Sequence, residues 1–134
     1  MSAPLRSPPI ILGQTDADRI AALVRQIETT QPQLADLLLG ELERADIRLD
    51  AAVPADTVTM EAFVEFLDEA HGTTRTVQLV YPSQADIAAN RISVLTPVGA
   101  GLLGLSEGQS IVWPDRAGRE RPLKIIRVRK DPAL

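Results

Sequence analysis

The 134-residue sequence has no cysteine. That excludes disulfides, thiolate metal sites and cysteine nucleophiles together, and it suits a reducing compartment. Aromatic side chains are scarce: Phe63, Phe66, Tyr81 and Trp113 make up 3% of the chain. The core must therefore be aliphatic, and a stacking platform for single-stranded nucleic acid is poorly supplied. His71 is the only histidine. It falls in an expected turn with no relay partner nearby in sequence, which reads as a solvated loop residue rather than a general base. No apolar run approaches the roughly 20 residues of a spanning helix. Met1 to Pro9 lacks the basic and apolar regions of a signal peptide. A soluble, cytoplasmic protein with no membrane contact is expected.

What is present fits a globular protein. Hydrophobic residues reach 45% and charged residues 24%, near the globular average. The net charge of -4 is unevenly spread. Residues 16 to 72 carry 13 acids against four bases, a balance of -9. Residues 114 to 131 carry seven bases against three acids, a balance of +4. The basic end comprises Arg116, Arg119, Arg121, Lys124, Arg127, Arg129 and Lys130. On charge alone these are two solvated faces, though the asymmetry also permits oriented docking or weak nucleic-acid contact.

The apolar period then separates the chain into parts. Residues 1–14 read as a leader. Thr15 is a suitable N-cap, with Asp16 and Asp18 where the helix dipole favours carboxylates. Ile20, Leu23, Val24 and Ile27 follow at helical spacing. Glu28-Thr29-Thr30-Gln31 interrupts the pattern, and Pro32 suits the first turn of a second helix. Leu34, Leu38, Leu42 and Ala45 form its stripe, with Leu37 and Leu39 off the seam and available to the next domain. Gly40 costs this helix about 1 kcal/mol against alanine, which a close helix crossing would explain. Glu41 and Glu43 point in different directions and form no paired acid site. Residues 15–50 thus predict a short antiparallel helical hairpin, or coiled coil, with arms of about 21 Å.

Residues 51–56 read as a linker around Pro54. Beyond it the period changes to two. Val58, Met60, Ala62, Val64 and Phe66 alternate with polar neighbours as a half-buried strand. His71-Gly72 makes a turn, and Val77, Leu79 and Tyr81 face inward on a second strand ended by Pro82. Arg91 to Leu95 is a third strand. Thr96 and Pro97 open a short helix stopped by Gly104. Ser110 to Trp113, an Asp115 to Gly118 turn and Leu123 to Lys130 complete the sheet. The apolar phase slips between Ile125 and Ile126, which predicts a β-bulge. The expected class is α+β, with a sheet domain over residues 57–131.

Gly99-Ala100-Gly101-Leu102-Leu103-Gly104 matches GxGxxG, but a dinucleotide site needs a long helix and a returning parallel strand. Here glycine ends the helix within about two turns, so the match is set aside. Small residues that let a short helix sit close to the sheet explain it better. The serines at 83, 93, 106 and 110 have no nucleophile-elbow context. No catalytic, cofactor-binding or metal-binding residue is expected, and no cofactor.

The run Ile92-Ser93-Val94-Leu95-Thr96-Pro97 through Gly104 to Gly108 resembles the signature of the Gre-factor C-terminal domain: a strand, a cap, a short Leu-Leu-Gly helix and a glycine turn. The resemblance spans about residues 56–130 and implies an FKBP-like fold, an antiparallel or mixed sheet with one short helix. Thr96, Gly101 and Gln109 depart from the usual serine, alanine and aspartate, and Gly101 is expected to loosen the helix. Gre factors carry a much longer hairpin whose acidic tip reaches a catalytic metal in RNA polymerase. This tip offers one carboxylate, Glu28, on short arms. The short hairpin and the Val58-Thr59-Met60 entry resemble the Rnk family, regulators of nucleoside diphosphate kinase.

That resemblance implies a non-enzymatic regulator, and a monomer is expected. It would bind RNA polymerase at the secondary-channel entrance and compete with Gre-type factors. The polymerase-contacting positions carried over are Leu95, Thr96 and Pro97. The alternatives are an active cleavage factor, a peptidyl-prolyl isomerase and a weak nucleic-acid-binding module. The first two are disfavoured by the tip and by the shortage of aromatics; the acidic remainder of the chain opposes the third.

Overall fold

The structure, a computed structural model, describes residues 8–114 and 117–130. Strand β1 (Ile11–Gly13) leads into helix α1 (Gln14–Ile27). Helix α2 (Pro32–Arg44) runs back beside it and ends at strand β2 (Asp46–Arg48). β2 pairs in parallel with β1, matching Ile11 to Asp46. β1 lies inside the expected leader. Its flanking Ile10 and its own Leu12 are buried, and a strand of three residues is too short to show a period.

Start of α1 differs from the sequence reading. The N-cap position is Gly13, and Thr15 makes no cap of its own. The Asp50 carboxylate, 35 residues away, accepts from both the Thr15 amide and the Thr15 hydroxyl. A distant carboxylate thus satisfies a first-turn N–H that local capping normally serves. These bonds hold the Asp50 carboxyl below its ordinary range.

The helical stripes are as expected. Ile20, Val24 and Ile27 of α1 and Leu34 and Leu38 of α2 are buried, joined by Ala17 and Ala35. Leu39 is exposed and takes no part in packing against the sheet, whereas Leu37 is packed against the core. A Cβ on Gly40 would meet nothing within 4 Å. The expected close crossing is absent there, because Gly40 faces solvent.

Five strands make the main sheet: β3 (Phe63–Asp68), β4 (Thr73–Val80), β5 (Arg91–Ser93), β6 (Ser110–Pro114) and β7 (Glu120–Arg129). Their order is β5-β4-β3-β7-β6. All pairs are antiparallel except β4 with β5, so the sheet is mixed. Val58, Met60 and Ala62 are buried in alternation as read, but the strand starts only at Phe63. Glu61 adopts a φ of 70°, which breaks the extended backbone ahead of it. The predicted bulge is present. Glu65 faces Arg127 while Phe66 faces Ile125, so Ile126 is the extra residue and turns outward, 39% exposed.

Helix α3 (Pro97–Leu102) lies on the inner face of the sheet. A Cβ on Gly101 would stand 2.9 Å from the Trp113 ring, and one on Gly99 would stand 2.2 Å from the Ser93 carbonyl. Gly101 makes room for the indole, and these contacts account for the glycine pattern without a nucleotide. The core runs unbroken from Ile20 and Leu38 of the hairpin to Phe66, Leu79, Leu123 and Ile125 of the sheet.

Candidate docking site

The loop entering α3 is fixed by its own side chains. Thr96 Oγ1 donates to the Ser93 carbonyl at 2.7 Å and accepts from the Gly99 amide at 3.1 Å, so Thr96 is the cap that the sequence suggests. Ser93 Oγ accepts from the Leu95 amide at 2.9 Å. Pro97 has no N–H to orphan in the first turn. Leu95 and Pro97 are consequently held in place, half-buried, by a short closed set of hydrogen bonds.

Both residues line a groove of about 870 Å³. Leu34 and Leu37 of α2 line it too, as do Pro114 and Gly118. The hairpin tip lies at the same place. Thr30 and Gln31 line the groove, while Glu28 and Thr29 lie outside its lining. Asp36 is the only charged side chain of the lining among the described residues. The site is thus a largely apolar trough with a polar rim, the usual character of a protein-docking surface. Sequence reading carried the loop but not the α2 wall, because nothing in the helical period says which loop a helix faces.

A polar cluster sets the hairpin against the sheet. Asp16 accepts from the Met60 amide at 3.0 Å and from the Tyr81 hydroxyl at 3.2 Å. The Arg19 guanidinium sits over the Tyr81 ring, 5.5 Å from its centre. Burial first, and the Asp16 charge second, push the Tyr81 hydroxyl far up. Lys130 Nζ donates to the Thr57 carbonyl at 2.6 Å and to Thr59 Oγ1 at 2.9 Å. Its burial lowers the ammonium. Asp16, read from sequence as a dipole residue, is also a tether between the two parts.

Two carboxylates are buried against arginine. Glu41 lies 2.9 Å from Arg44, and burial raises its carboxyl despite that partner. Arg44 also donates to the Pro8 carbonyl. Asp68 lies 2.6 Å from Arg121 and 3.1 Å from His71 Nδ1. Burial pushes Asp68 up, but the bonds from His71 and Arg121 outweigh it and leave it below the ordinary range. His71 therefore has a carboxylate partner three residues back, which the sequence reading missed. The ring itself is well exposed.

The basic C-terminal end is not one patch. Arg121 turns inward to Asp68 and Lys130 toward Thr57. Lys124, Arg127 and Arg129 lie on the outer face of the sheet. Arg116 lies outside the described residues. Among the described residues no three acidic or histidine side chains gather as a metal site, and no helix is long and apolar enough to cross a membrane.

The fold agrees with what the chain is similar to. Residues 53–130 match the family described as transcription elongation factor, GreA/GreB, C-term, and residues 8–47 match the Rnk N-terminus. The chain is 37% identical over 125 residues to the regulator of nucleoside diphosphate kinase of Escherichia coli strain K12, covering 93% of this chain and 92% of that protein. It is 35% identical over 95 residues to the transcription elongation factor GreA of Acidiphilium cryptum, where the match spans 68% of this chain and 60% of that protein. A solved GreA/GreB-type factor from Nitrosomonas europaea superimposes with a TM-score of 0.71 at 33% identity, covering 92% of this chain and 99% of that one. With a GreA/GreB C-terminal domain behind a short Rnk-type hairpin, this chain belongs to the Rnk family of regulators of nucleoside diphosphate kinase.

Proposed function

We propose that this protein is a cytoplasmic transcription regulator that binds RNA polymerase at the secondary-channel entrance and competes there with Gre-type factors, without cleaving RNA. The single observation that carries the reading is the position of the hairpin tip. It lines the same groove as Leu95 and Pro97. Arms of 14 and 13 residues are about 21 and 20 Å long. They fold back beside the sheet domain rather than reaching away from it. Metal-assisted cleavage needs carboxylates delivered to the metal, and Glu28 alone, on such arms, does not meet that need.

Leu95, Thr96 and Pro97 act as the contact, with Leu34 and Leu37 completing the apolar wall. Thr96 keeps the loop in shape, and Leu95 and Pro97 supply the buried area. The protein acts as a single copy and needs no cofactor.

The test is competition on core RNA polymerase. The protein should inhibit Gre-stimulated cleavage of stalled transcripts and release no shortened RNA by itself. Leu95→Asp should abolish inhibition while the chain stays folded by its far-ultraviolet spectrum. Shortened RNA from the protein alone would instead establish an active cleavage factor. Absence of polymerase binding would end the proposal.

A further inference from the structure

The outer face of the main sheet has no part in the groove. Its rows follow from strand register. Arg91, Gln78, Phe63 and Arg129 form one row across β5, β4, β3 and β7. Thr76, Glu65 and Arg127 form the next, and Thr74, Leu67 and Lys124 a third. The bulge at Ile126 produces this arrangement. Lys124 and Arg127 are an odd number of residues apart, so a regular strand would turn them to opposite faces. The extra residue puts Lys124, Arg127 and Arg129 on the same face.

These cations differ from three other arginines of the chain. Arg44, Arg48 and Arg121 each hold a carboxylate within 4 Å. Among the described residues, Arg91, Lys124, Arg127 and Arg129 make no ion pair and no side-chain hydrogen bond. Glu65 stands opposite Arg127 without pairing to it, and Glu120 lies farther along β7. The excess of positive charge on this face belongs to a molecule that is -4 overall.

Phe63 is the one aromatic residue on this face, half-buried between the basic residues. It lines a recess of about 100 Å³ with Glu65, Thr76, Arg127 and Arg129. That is room for one flat ring. Arg127 and Arg129 are two residues apart, about 7 Å along the strand, close to the step between successive phosphates of an extended single strand. Thr74 and Thr76 place exposed hydroxyls beside them. A ring in the recess suits an unpaired base, which a duplex keeps within its own stack.

We propose that this outer face is a contact surface for single-stranded RNA. Arg127, Arg129, Lys124 and Arg91 meet the phosphates, and Phe63 stacks one base in the recess. Thr74 and Thr76 meet 2′-hydroxyls, the group that distinguishes RNA from DNA. Stacking on one ring with four cations gives a weak, salt-sensitive contact. It stands apart from the groove at Leu95 and Pro97, so either can fail without the other.

The experiment is fluorescence anisotropy of a labelled 12-nucleotide single-stranded RNA of mixed sequence at low salt, with the full chain. Binding should weaken by about tenfold or more in Arg127→Glu/Arg129→Glu, and by about fivefold in Phe63→Ala. The slope of log affinity against log salt should fall in magnitude by about 1.4 in Arg127→Gln/Arg129→Gln, two phosphate contacts at about 0.7 each. Leu95→Asp should bind RNA as the parent does. DNA of the same sequence, duplex RNA and polyglutamate should all compete less well than the RNA. No RNA binding would overturn the proposal. So would unchanged binding in folded double variants, or equal competition by DNA, duplex RNA or polyglutamate.

Discussion

Gly40 in α2 and Gly99 in α3 are both glycines inside helices, yet their surroundings are opposite. A Cβ at Gly40 would find open space, while one at Gly99 would lie 2.2 Å from a backbone oxygen. The same contrast separates the two buried acids. Glu41 of the hairpin is raised by burial in spite of Arg44, and Asp68 of the sheet is lowered by His71 and Arg121 in spite of burial. The sheet domain is closely fitted at α3 and at Asp68, where a glycine and a charge are matched to their neighbours. The hairpin retains slack.

The largest break in this comparison is Gly99→Ala. The methyl group meets main chain, which cannot rotate aside as a side chain can, so α3 must lift from β5. Overpacking of this kind costs about 3 kcal/mol, a fall in melting temperature of roughly 10 °C at this size. Differential scanning calorimetry checks it, and an unchanged transition would refute the close fit. Because α3 carries the docking loop, polymerase binding should weaken in parallel.

Asp68→Asn comes next. It removes a buried charge that Arg121 and His71 hold, at a cost of about 2 kcal/mol near neutral pH. The sign of its pH dependence follows from the lowered carboxyl. Its stabilisation is present above the ordinary value of 3.8 and is lost as pH falls through the depressed folded value. The gap between parent and variant in urea midpoint should therefore hold from neutral pH to about 4 and close only below it. A gap that closes between pH 7 and 5 would refute the depressed Asp68 carboxyl.

Much of this was legible in the sequence, and the parts that were not share a cause. The helical stripes, the Thr96 cap and the bulge at Ile126 all rest on period and local chemistry, whereas the choice between an antiparallel and a mixed sheet was left open. Leu95, Thr96 and Pro97 came from a motif. What stayed hidden depends on residues distant in the chain. Thr15 looked like a cap, but its partner is Asp50. Gly40 and Gly99 look alike until their neighbours are known. The hidden half of the groove, Leu34 and Leu37, lies on a helix whose facing loop is some 60 residues further on. The basic end read as one cluster, yet the strand phase sends Arg121 inward and Arg127 outward.

Gly40→Ala sharpens the comparison in the stabilising direction. The helix already accepts the backbone, and there is space for the methyl group. The gain should be about 1 kcal/mol, a rise of roughly 4 °C in melting temperature, with polymerase and RNA binding unchanged. A loss of stability would mean that α2 contacts something at Gly40 in solution.

The smallest effect is expected at Glu41, and its sign is the most informative. Burial raises its carboxyl above the ordinary 4.5, with Arg44 opposing. A group raised in the folded state stabilises below its unfolded value and loses that contribution as pH rises through its folded value. Glu41 thus makes the parent more stable near pH 5 than near pH 7. Asp50 and Asp68 are lowered, so they act below about pH 4, outside this window. Glu41→Gln keeps the shape, removes the charge and leaves Arg44 its bond to the Pro8 carbonyl. At pH 7 the variant should match the parent within about 0.5 kcal/mol, since burial already disfavours the ionised Glu41 and the partly exposed Arg44 is not left as a fully buried charge. Between pH 5 and 7 its urea midpoint should be flatter than the parent's. If Glu41→Gln instead loses more than about 2 kcal/mol at pH 7, the pair with Arg44 is as well matched as that of Asp68, and the hairpin is not the slack half of this protein.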